Sequence, residues 1–189
     1  FLEKSINHKK FNLVNEDLFT SNSLSEIFKS CDLIIHLSAN ADVRFGLEHT
    51  SRDLNQNTIV TYKILEAMRK NKIKKIVFSS TGSVYGDSNI IPTPENTNFP
   101  IQTSLYAASK LAAEGLISSY SNGFEIQSWI FRFVSILGPR YSHGHVYDFY
   151  KKLMLNKKEL EVLGNGKQRK SYLHIKDCIS GVKTAFEKS

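Results

Sequence analysis

The sequence predicts an α/β fold in which helices cover both faces of a doubly wound parallel sheet. Four apolar runs without strict alternation recur at wide spacing along the 189 residues. Short continuous apolar strands are typical of a parallel sheet that is buried on both faces. Helical patterns separate the runs, and alternating strands and helices favour a doubly wound sheet. The four expected strands are Phe11–Val14, Asp32–Ala39, Lys75–Thr81 and Trp129–Leu137.

The expected helices show the repeat of about 3.6 residues that marks one buried face. Ser23 is a good N-cap with Glu26 three residues later, which predicts a short helix that reaches Lys29. Two longer helices follow the second and third apolar runs, and "HIKDCISGVKTAFEK" predicts a closing helix. The repeating positions are Leu54, Thr58, Thr61, Leu65 and Met68 in the first long helix, and Tyr106, Lys110, Ala113, Ile117 and Tyr120 in the second.

Loop-forming residues divide the chain into two zones. Residues 87–103 are rich in Pro, Asn, Asp and Thr, which predicts a long loop at the carboxyl ends of the strands, where α/β proteins bind ligands. After residue 136 the pattern changes to short elements and the basic stretch "GNGKQRKSY". We therefore expect residues 1–136 to form the main domain. Residues 137–189 are expected to form part of a smaller lobe whose last helix packs back on the sheet.

Composition restricts the class of protein. The net charge is +7, from 25 Lys and Arg against 18 Asp and Glu. The basic residues fall into separate groups without interleaved aromatic residues, which favours solvated surfaces over a nucleic-acid interface. Cys31 and Cys178 lack metal-type spacing, which indicates buried thiols in a reducing compartment. No apolar run reaches the length of a membrane span and no signal-peptide pattern opens the chain, so a cytoplasmic location is expected.

Tyr106 and Lys110 form the pattern with the clearest chemical meaning. They are four residues apart on a predicted helix, so their side chains share one face. An ammonium beside a phenol stabilises the phenolate, and moving a tyrosine pKa from about 10 toward 7 requires roughly 4 kcal/mol. Lys110 and a cationic cofactor ring together can supply this, which would make Tyr106 a general base toward a hydroxyl as hydride leaves the carbon. Thr81, at the end of an apolar strand, would orient the same oxygen. Taken alone, the Tyr and Lys spacing also fits a solvated helix face.

The longer pattern is more specific. Within residues 75–110 a strand is followed by "SST", by "VYG", by a Pro-rich loop and by "YAASK". This order resembles the extended short-chain dehydrogenase/reductase family, and within it the NAD-dependent nucleotide-sugar epimerase and dehydratase branch. The resemblance implies a Rossmann-like fold, with residues 1–136 as a partial NAD-binding domain and residues 137–189 as part of a substrate-binding lobe. It also implies that Thr81, Tyr106 and Lys110 are catalytic and that Lys110 holds the nicotinamide ribose.

Other segments extend the resemblance along nearly the whole chain. "NEDLF" looks like the family's adenine-contacting turn, and "HLSANADVRFG" looks like the loop that passes over the cofactor's phosphates and ribose. "RFVSILGPR" and "GNGKQRKSYLHIKD" look like the sixth strand and the lobe that binds a nucleotide diphosphate. The implied cofactor contacts are Asp17, Leu18, Leu37, Ser38, Ala39, Asn57, Ser79, Tyr106, Lys110 and Phe133, and the implied substrate contacts are Ser83, Ser135, Arg169 and Lys170.

The residues after Thr81 distinguish reactions within the family. Members that dehydrate or decarboxylate the sugar carry an acid there, because a second proton must be moved. Gly82 and Ser83 offer no carboxylate, whereas hydride removal, rotation of a 4-keto sugar and hydride return need only the Tyr, Lys and hydroxyl set. The resemblance thus favours an NAD-dependent 4-epimerase of a UDP-sugar that acts as a homodimer, without nucleic acid, membrane or metal. The alternatives are a 4,6-dehydratase or reductase of the same family and a non-catalytic binding protein that keeps the fold.

Two positions depart from the family pattern, and one segment has no match. Ser135 stands where an asparagine usually contacts the sugar nucleotide. Lys170, beside Arg169, stands where an arginine usually binds the diphosphate with a fork of donors. The family's first strand and GxxGxxG turn have no counterpart, and the chain begins with Phe1. By analogy, we expect that roughly 40 to 50 preceding residues and a C-terminal part are missing, which would leave a gap in the sheet. The chain alone is then expected to bind NAD no better than millimolar and to be inactive.

Two histidine patterns have a structural interpretation. His36 lies inside an apolar run, where a hydrogen-bonded core histidine is favoured over a ligand. His143 and His145 have the spacing of a chelating pair but no third ligand nearby, which favours a loop over a metal site.

Overall fold

The computed structural model describes residues 2–41, 45–97, 101–142 and 144–189, with only the backbone of Phe45. The chain divides into two compact units, Phe1–Ile130 and Phe131–Ser189, and each is described by itself. This division lies a few residues before the boundary expected after residue 136. The assignment of a cofactor domain and a substrate lobe to the two parts stays a prediction.

Helices and strands alternate through most of the chain. The helices are α1 (Glu3–Ile6), α2 (Leu24–Ile27), α3 (Phe45–Glu48), α4 (Thr50–Asp53), α5 (Val60–Asn71), α6 (Leu105–Phe124), α7 (His145–Leu155) and α8 (Ile175–Lys188). The strands are β1 (Ile34–His36), β2 (Lys75–Thr81), β3 (Gln127–Phe133), β4 (Ser135–Leu137) and β5 (Tyr172–His174). A π-helical segment, Leu54–Ile59, joins α4 to α5, and a 3₁₀ turn, Gly82–Tyr85, follows β2.

Strands β1, β2 and β3 form a sheet in that order. β1 and β2 are parallel, with Ile34 opposite Ile76. The predicted α/β fold with a parallel sheet is therefore confirmed. β2 is buried on both faces, as its continuous apolar sequence predicts. β1 was also expected to be buried on both faces, and this expectation is wrong. Ile34 and His36 are buried, whereas Ile35 between them is 56% exposed.

The prediction of a strand at Phe11–Val14 is wrong. These residues have no regular secondary structure, and Leu13 and Val14 are exposed. A strand is stable only beside a neighbour that satisfies its backbone hydrogen bonds, and the described residues place no strand beside this segment. The expected gap inside the sheet therefore does not arise, because β1 is the terminal strand of the sheet within the described part of the chain.

The core of the first unit lies where α2, α5 and α6 pack together and α6 packs on β2. Ser104 caps α6, since its hydroxyl accepts a hydrogen bond from the Ala107 N–H at 3.1 Å. The expected short helix is present as α2, with Ser23 at its N-cap, but it ends at Ile27, before Lys29. The predicted position Leu54 is 52% exposed, so the prediction of a buried face is wrong there. The core includes four of the other predicted positions, Leu65, Met68, Ala113 and Ile117, together with Ile64, Ile76 and Phe78.

The helix expected from Leu54 onward is interrupted by the π-helical segment Leu54–Ile59. A π-type turn holds one more residue than an α-turn, so the buried face shifts along the helix. Asp53, just before the π-helical segment, and Asn57, within it, are buried. Ile64 and Leu65, which follow the segment, are also buried. The helix therefore presents a polar face toward the candidate site and an apolar face toward the core.

The long loop predicted at residues 87–103 is confirmed for its described part. Residues 87–97 and 101–103 contain no helix or strand, and residues 98–100 lie outside the described residues. Within the loop, the Gln102 side chain donates a hydrogen bond to the Val84 carbonyl at 2.8 Å. This contact holds the end of the loop against the 3₁₀ turn that follows β2.

The second unit contains a small parallel sheet and two helices. β4 and β5 pair with Ser135 opposite Tyr172. The run expected as one strand, Trp129–Leu137, is divided between β3 and β4, which lie in different sheets. The closing helix is confirmed as α8, which the His174 side chain caps by accepting the Lys176 N–H at 3.3 Å. None of the α7 residues is fully buried. α7 was not predicted, although its sequence carries apolar residues at the spacing of one helix face, namely Val146, Phe149, Tyr150 and Leu153.

The two cysteines are free. Cys178 is buried, as expected, and burial raises the pKa of its thiol. Cys31 is half-buried, so the expectation of two buried thiols is wrong for this residue. Among the described residues, no helix is both long and apolar enough to cross a membrane.

Candidate active site

The end of β2 and the start of α6 carry the three side chains that were predicted to be catalytic. Thr81 is the last residue of β2, and its hydroxyl accepts the Ser83 N–H at 3.2 Å, which caps the following 3₁₀ turn. The Thr81 hydroxyl also lies close enough to the Tyr106 phenol to lower the pKa of that phenol. Lys110 lies one turn further along α6 and contacts the same strand. The structure thus brings Thr81, Tyr106 and Lys110 together, and their catalytic roles stay a prediction.

Lys110 is a buried ammonium, with only 2% of the residue exposed. Its Nζ donates a hydrogen bond to the Ser79 carbonyl at 2.7 Å and lies 4.6 Å from the centre of the Phe78 ring. Burial lowers the pKa of Lys110 to about 8, and the carboxylate of Glu114 opposes this effect. Lys110 is therefore still mostly charged at neutral pH, and it is held against β2 two residues before Thr81.

The pKa of the Tyr106 phenol is raised from its ordinary value in this structure. Burial raises the pKa of Tyr106, the hydrogen bond with Thr81 lowers it, and the Asp53 carboxylate raises it further. The Lys110 ammonium is directed to the Ser79 carbonyl, and the expectation that Lys110 and a cationic cofactor ring together stabilise the phenolate stays a prediction. A Tyr106 base at neutral pH therefore needs a positive charge from another source.

A buried polar cluster, Asn40, Asp53, Asn57 and Ser109, lies beside Tyr106. Asn57 accepts the Asn40 N–H at 2.8 Å and donates to the Ser109 hydroxyl at 2.9 Å. Ser109 in turn donates to the Tyr106 carbonyl at 2.8 Å, and Asp53 Oδ1 accepts the Asn40 side-chain amide at 2.8 Å. Asn57, predicted to contact the cofactor, thus fixes the loop after β1 against α6.

Asp53 has one carboxylate oxygen that no described residue hydrogen-bonds, although the residue is only 1% exposed. This oxygen, Oδ2, lies close to Gly46. A Cβ atom at Gly46 would lie 2.7 Å from Oδ2, which is closer than real contacts allow. Glycine is therefore required at position 46 if the carboxylate is to keep its place in the cluster.

His36 extends the polar network on β1. Thr61 donates its hydroxyl hydrogen to the Asn57 carbonyl at 2.5 Å, so its oxygen accepts from His36 Nε2 at 2.9 Å. His36 Nδ1 is then the unprotonated nitrogen and accepts the Ser38 hydroxyl at 3.1 Å. Burial lowers the pKa of His36 to about 3, and the charge of Lys110 contributes. The prediction of a hydrogen-bonded core histidine is confirmed.

A second side chain of α6 contacts β2 beside Lys110. The Ser80 hydroxyl donates a hydrogen bond to the Glu114 carboxylate. Ser80 is 4% exposed and Glu114 is 6% exposed, so this contact is buried. Consecutive residues of β2, Ser79 and Ser80, are thus bound by side chains one turn apart on α6.

The residues predicted to contact the adenine lie on a tight turn. Asp17 Oδ1 accepts the N–H groups of Thr20 at 2.8 Å and Phe19 at 2.9 Å. The hydrogen bonds from Thr20, chiefly its backbone N–H, lower the pKa of Asp17. The carboxylate is therefore ionised near neutral pH. Leu18 is half-buried and packs on the core.

The loop after β1 is only partly described. Leu37 is 64% exposed, Ser38 is bonded to His36, and Ala39 is half-buried. Residues 42–44 of the expected phosphate-covering loop lie outside the described residues. The cofactor contacts predicted for Leu37, Ser38 and Ala39 stay predictions.

The remaining predicted residues belong to the second unit or to the turn after β2. Phe133 stacks on Phe131 with the ring centres 5.7 Å apart, and Ser135 pairs with Tyr172 in the small sheet. Arg169 and Lys170, which were predicted to bind the diphosphate, are exposed. Ser83, which was predicted to contact the substrate, is also exposed. Their substrate roles stay predictions.

The histidine pair of the second unit is described for one member. His145 begins α7, and its Nε2 hydrogen-bonds the Tyr172 hydroxyl. His143 lies outside the described residues. Within the described ranges, no group of three His, Cys, Asp or Glu side chains is placed to hold a metal ion.

Sequence reasoning missed the polar residues that support the predicted trio, namely Asn40, Asp53, Ser80, Ser109 and Glu114. Two of them had a local signal. Asp53 precedes Asn57 by four residues, and Glu114 follows Lys110 by four, so each pair shares a helix face.

A parallel sheet with a hydroxyl at one strand end, and a tyrosine and lysine one turn apart on the next helix, defines a Rossmann-like protein of the short-chain dehydrogenase/reductase type. The model of the NAD dependent epimerase/dehydratase family matches residues 2–189, and the chain belongs to this family. The family resemblance read from the sequence is therefore confirmed.

Individual relatives agree with this assignment. The chain is 31% identical to an uncharacterized UDP-glucose epimerase of Bacillus subtilis, covering 99% of this chain and 58% of the relative. It is 30% identical to a dTDP-D-glucose 4,6-dehydratase of Dictyostelium discoideum, covering 90% of this chain and 42% of the relative. A UDP-glucuronic acid 4-epimerase of Bacillus cereus, solved with UDP-glucuronic acid and NAD, aligns with a TM-score of 0.87 and 30% identity over 100% of this chain and 59% of that one. The chain thus spans little more than half the length of most such relatives.

Proposed function

We propose that the protein is an NAD-dependent UDP-sugar 4-epimerase, which oxidises the sugar at C4 and returns the hydride to the opposite face. The observation that carries this proposal is the set of Thr81, Tyr106 and Lys110 at the end of β2, followed by Gly82 and Ser83 with no carboxylate. Relatives and solved neighbours described as UDP-sugar 4-epimerases support the proposal.

The residues present fit a nicotinamide cofactor. When bound, NAD accepts the hydride from the sugar and returns it. Lys110 would donate hydrogen bonds from its buried ammonium to the ribose hydroxyls of the nicotinamide half, and the ionised Asp17 would accept a hydrogen bond from the adenine amino group. A donor and an acceptor of these types suit a dinucleotide, and Lys110 would change its partner from the Ser79 carbonyl to bind it.

Tyr106 would hold and move the proton. Its phenol lies beside the Thr81 hydroxyl, so the two side chains form a pair of hydrogen-bonding groups for the C4 oxygen of the sugar. Tyr106 would accept the C4 hydroxyl proton as the hydride leaves and return it when the hydride comes back. The positive charge of a nicotinamide ring would oppose the effect of burial, which raises the pKa of the free phenol.

Product analysis and one substitution test this proposal. In the protein expressed from its complete reading frame, Tyr106→Phe is expected to reduce turnover by at least about a hundredfold and to leave UDP-sugar affinity nearly unchanged. NMR of the products is expected to show C4 epimers and no 4-keto-6-deoxy sugar. Turnover near that of the wild type in Tyr106→Phe would remove this residue from the mechanism.

A 4,6-dehydratase is the second candidate, because one relative is described as such. Loss of water from the sugar in the NMR experiment would establish it. The same loss would require an acid or base other than Gly82 and Ser83. We also propose that the protein is a cytoplasmic homodimer, on the basis of its family, and sedimentation of the complete protein tests the dimer.

A further inference from the structure

Two side chains of α6 bind consecutive residues of β2. Lys110 Nζ donates to the Ser79 carbonyl at 2.7 Å, and Glu114, one turn later, accepts the Ser80 hydroxyl. Lys110, Ser80 and Glu114 are each no more than 6% exposed. The next residue of the strand is Thr81, whose hydroxyl contacts Tyr106.

A carboxylate at the depth of Glu114 is costly to desolvate, so a buried acid that contributes only packing would be better replaced by an apolar side chain. Glu114 has two features that an apolar residue lacks. It receives the Ser80 hydroxyl, which fixes the strand that carries Thr81. It also lies four residues from Lys110 on the same helix, where its negative charge favours the ammonium.

We infer that Glu114 is a positioning residue for the proposed epimerase. It holds the end of β2 against α6 through Ser80, and its negative charge, one helical turn from Lys110, favours the ammonium. This inference rests on the proposed function for its kinetic consequence, because Lys110 and Thr81 are the groups through which Glu114 acts.

The other groups around Lys110 do not replace this charge. On β1, the His36 imidazole is neutral, and on β2 the Phe78 ring and the Ser79 carbonyl are uncharged partners. On α6, the Tyr106 phenol has a raised pKa, and Asp53 on α4 acts on that phenol. The Glu114 carboxylate is the charge that raises the pKa of Lys110.

Kinetics of variants across pH test the inference in the protein expressed from its complete reading frame. Glu114→Gln is expected to lower kcat about tenfold with KM nearly unchanged. It is also expected to move the alkaline limb of the kcat profile to lower pH by at least about half a unit, because Lys110 loses its proton more readily. Glu114→Asp keeps the negative charge, but its shorter side chain does not reach the Ser80 hydroxyl. The alkaline limb of its kcat profile should therefore match the wild type, whereas its kcat should be as low as that of Glu114→Gln. Glu125→Gln, at the residue that follows α6 and whose side chain is 91% exposed, is the charge-matched control and should change neither quantity.

A direct titration separates failure of this inference from failure of the proposed function. The Lys110 side chain can be followed by NMR of lysine-labelled protein, with Lys110→Arg to assign the signal. A lower pKa in Glu114→Gln than in the wild type supports the role of Glu114 even if the wild type epimerises no UDP-sugar. An unchanged Lys110 pKa, or a pH profile that matches the wild type while only thermal stability falls, overturns the inference. If Glu114→Gln does not fold, the kcat profile and the Lys110 pKa are measured in Glu114→Asp and Ser80→Ala instead. A kcat near the wild-type value in both variants overturns the positioning role of Glu114.

Discussion

The neutral, buried His36 is expected to make the stability of the fold depend on pH. The residue is 2% exposed, and burial lowers its pKa to about 3 from the ordinary value of 6.5. Between these two values the unfolded chain binds a proton that the folded chain does not, so stability falls as the pH is lowered. The slope is about 1.4 kcal/mol per pH unit, which amounts to roughly 2 kcal/mol lost by about pH 5.

Replacement of His36 by glutamine removes this proton acceptor and keeps a neutral hydrogen-bonding side chain. At about pH 8, where wild-type His36 carries no penalty, His36→Gln should lower the free energy of unfolding by roughly 1 to 3 kcal/mol, because the contact with Thr61 is weakened. The difference from the wild type should then shrink by about 2 kcal/mol on going to about pH 5. Urea titrations at several pH values, on the protein from its complete reading frame, measure both quantities.

A matched control separates this residue from the other titrating groups. His8 is exposed, so His8→Gln should follow the wild type at every pH. Carboxylates titrate equally in all three proteins and cancel in the differences. A constant difference between the wild type and His36→Gln from about pH 8 to about pH 5 would refute the assignment of a neutral buried imidazole.

Two further predictions concern the α5–α6 contact and the cofactor. Glu66→Gln should lower the free energy of unfolding by about 1 kcal/mol, because Glu66 accepts hydrogen bonds from Tyr120 at 2.7 Å and Arg69 at 2.9 Å. Glu26→Gln, in an exposed pair, should change it by less than about 0.5 kcal/mol, and equal effects in the two variants would contradict this reasoning. Isothermal titration of the 189-residue chain alone with NAD should give a Kd no tighter than millimolar, and a micromolar Kd would show that this chain builds a phosphate site from other residues.

The parts of the fold that could be predicted depend on local sequence. β2 was predicted at its observed bounds, Lys75–Thr81, because it is buried on both faces and its residues are apolar without alternation. Phe11–Val14 has the same local character, but strand formation depends on a partner that local sequence does not show. α7 was missed although Val146, Phe149 and Leu153 have the spacing of one helix face.

The candidate active site also contains residues that local sequence predicts and residues that it does not. Tyr106 and Lys110 were predicted because a spacing of four on one helix is local. The contacts that support them join residues distant in sequence, since Asn40 and Asp53 are 13 positions apart and Asn57 and Ser109 are 52 positions apart. No periodicity marks such pairs. The direction of the Lys110 ammonium was also beyond sequence reasoning, because it is set by the Ser79 carbonyl of a neighbouring strand.

The π-helical segment Leu54–Ile59 makes the length of this helix more important than its composition. An α-helix turns by about 100° per residue, so one additional residue in a turn changes the angular phase of everything before it relative to everything after it. Deleting one residue here would leave the core side chains of α5 in place and rotate Asp53 by more than a quarter turn away from Asn40. Substitutions at exposed positions of the segment should therefore be tolerated far better than a change of one residue in its length.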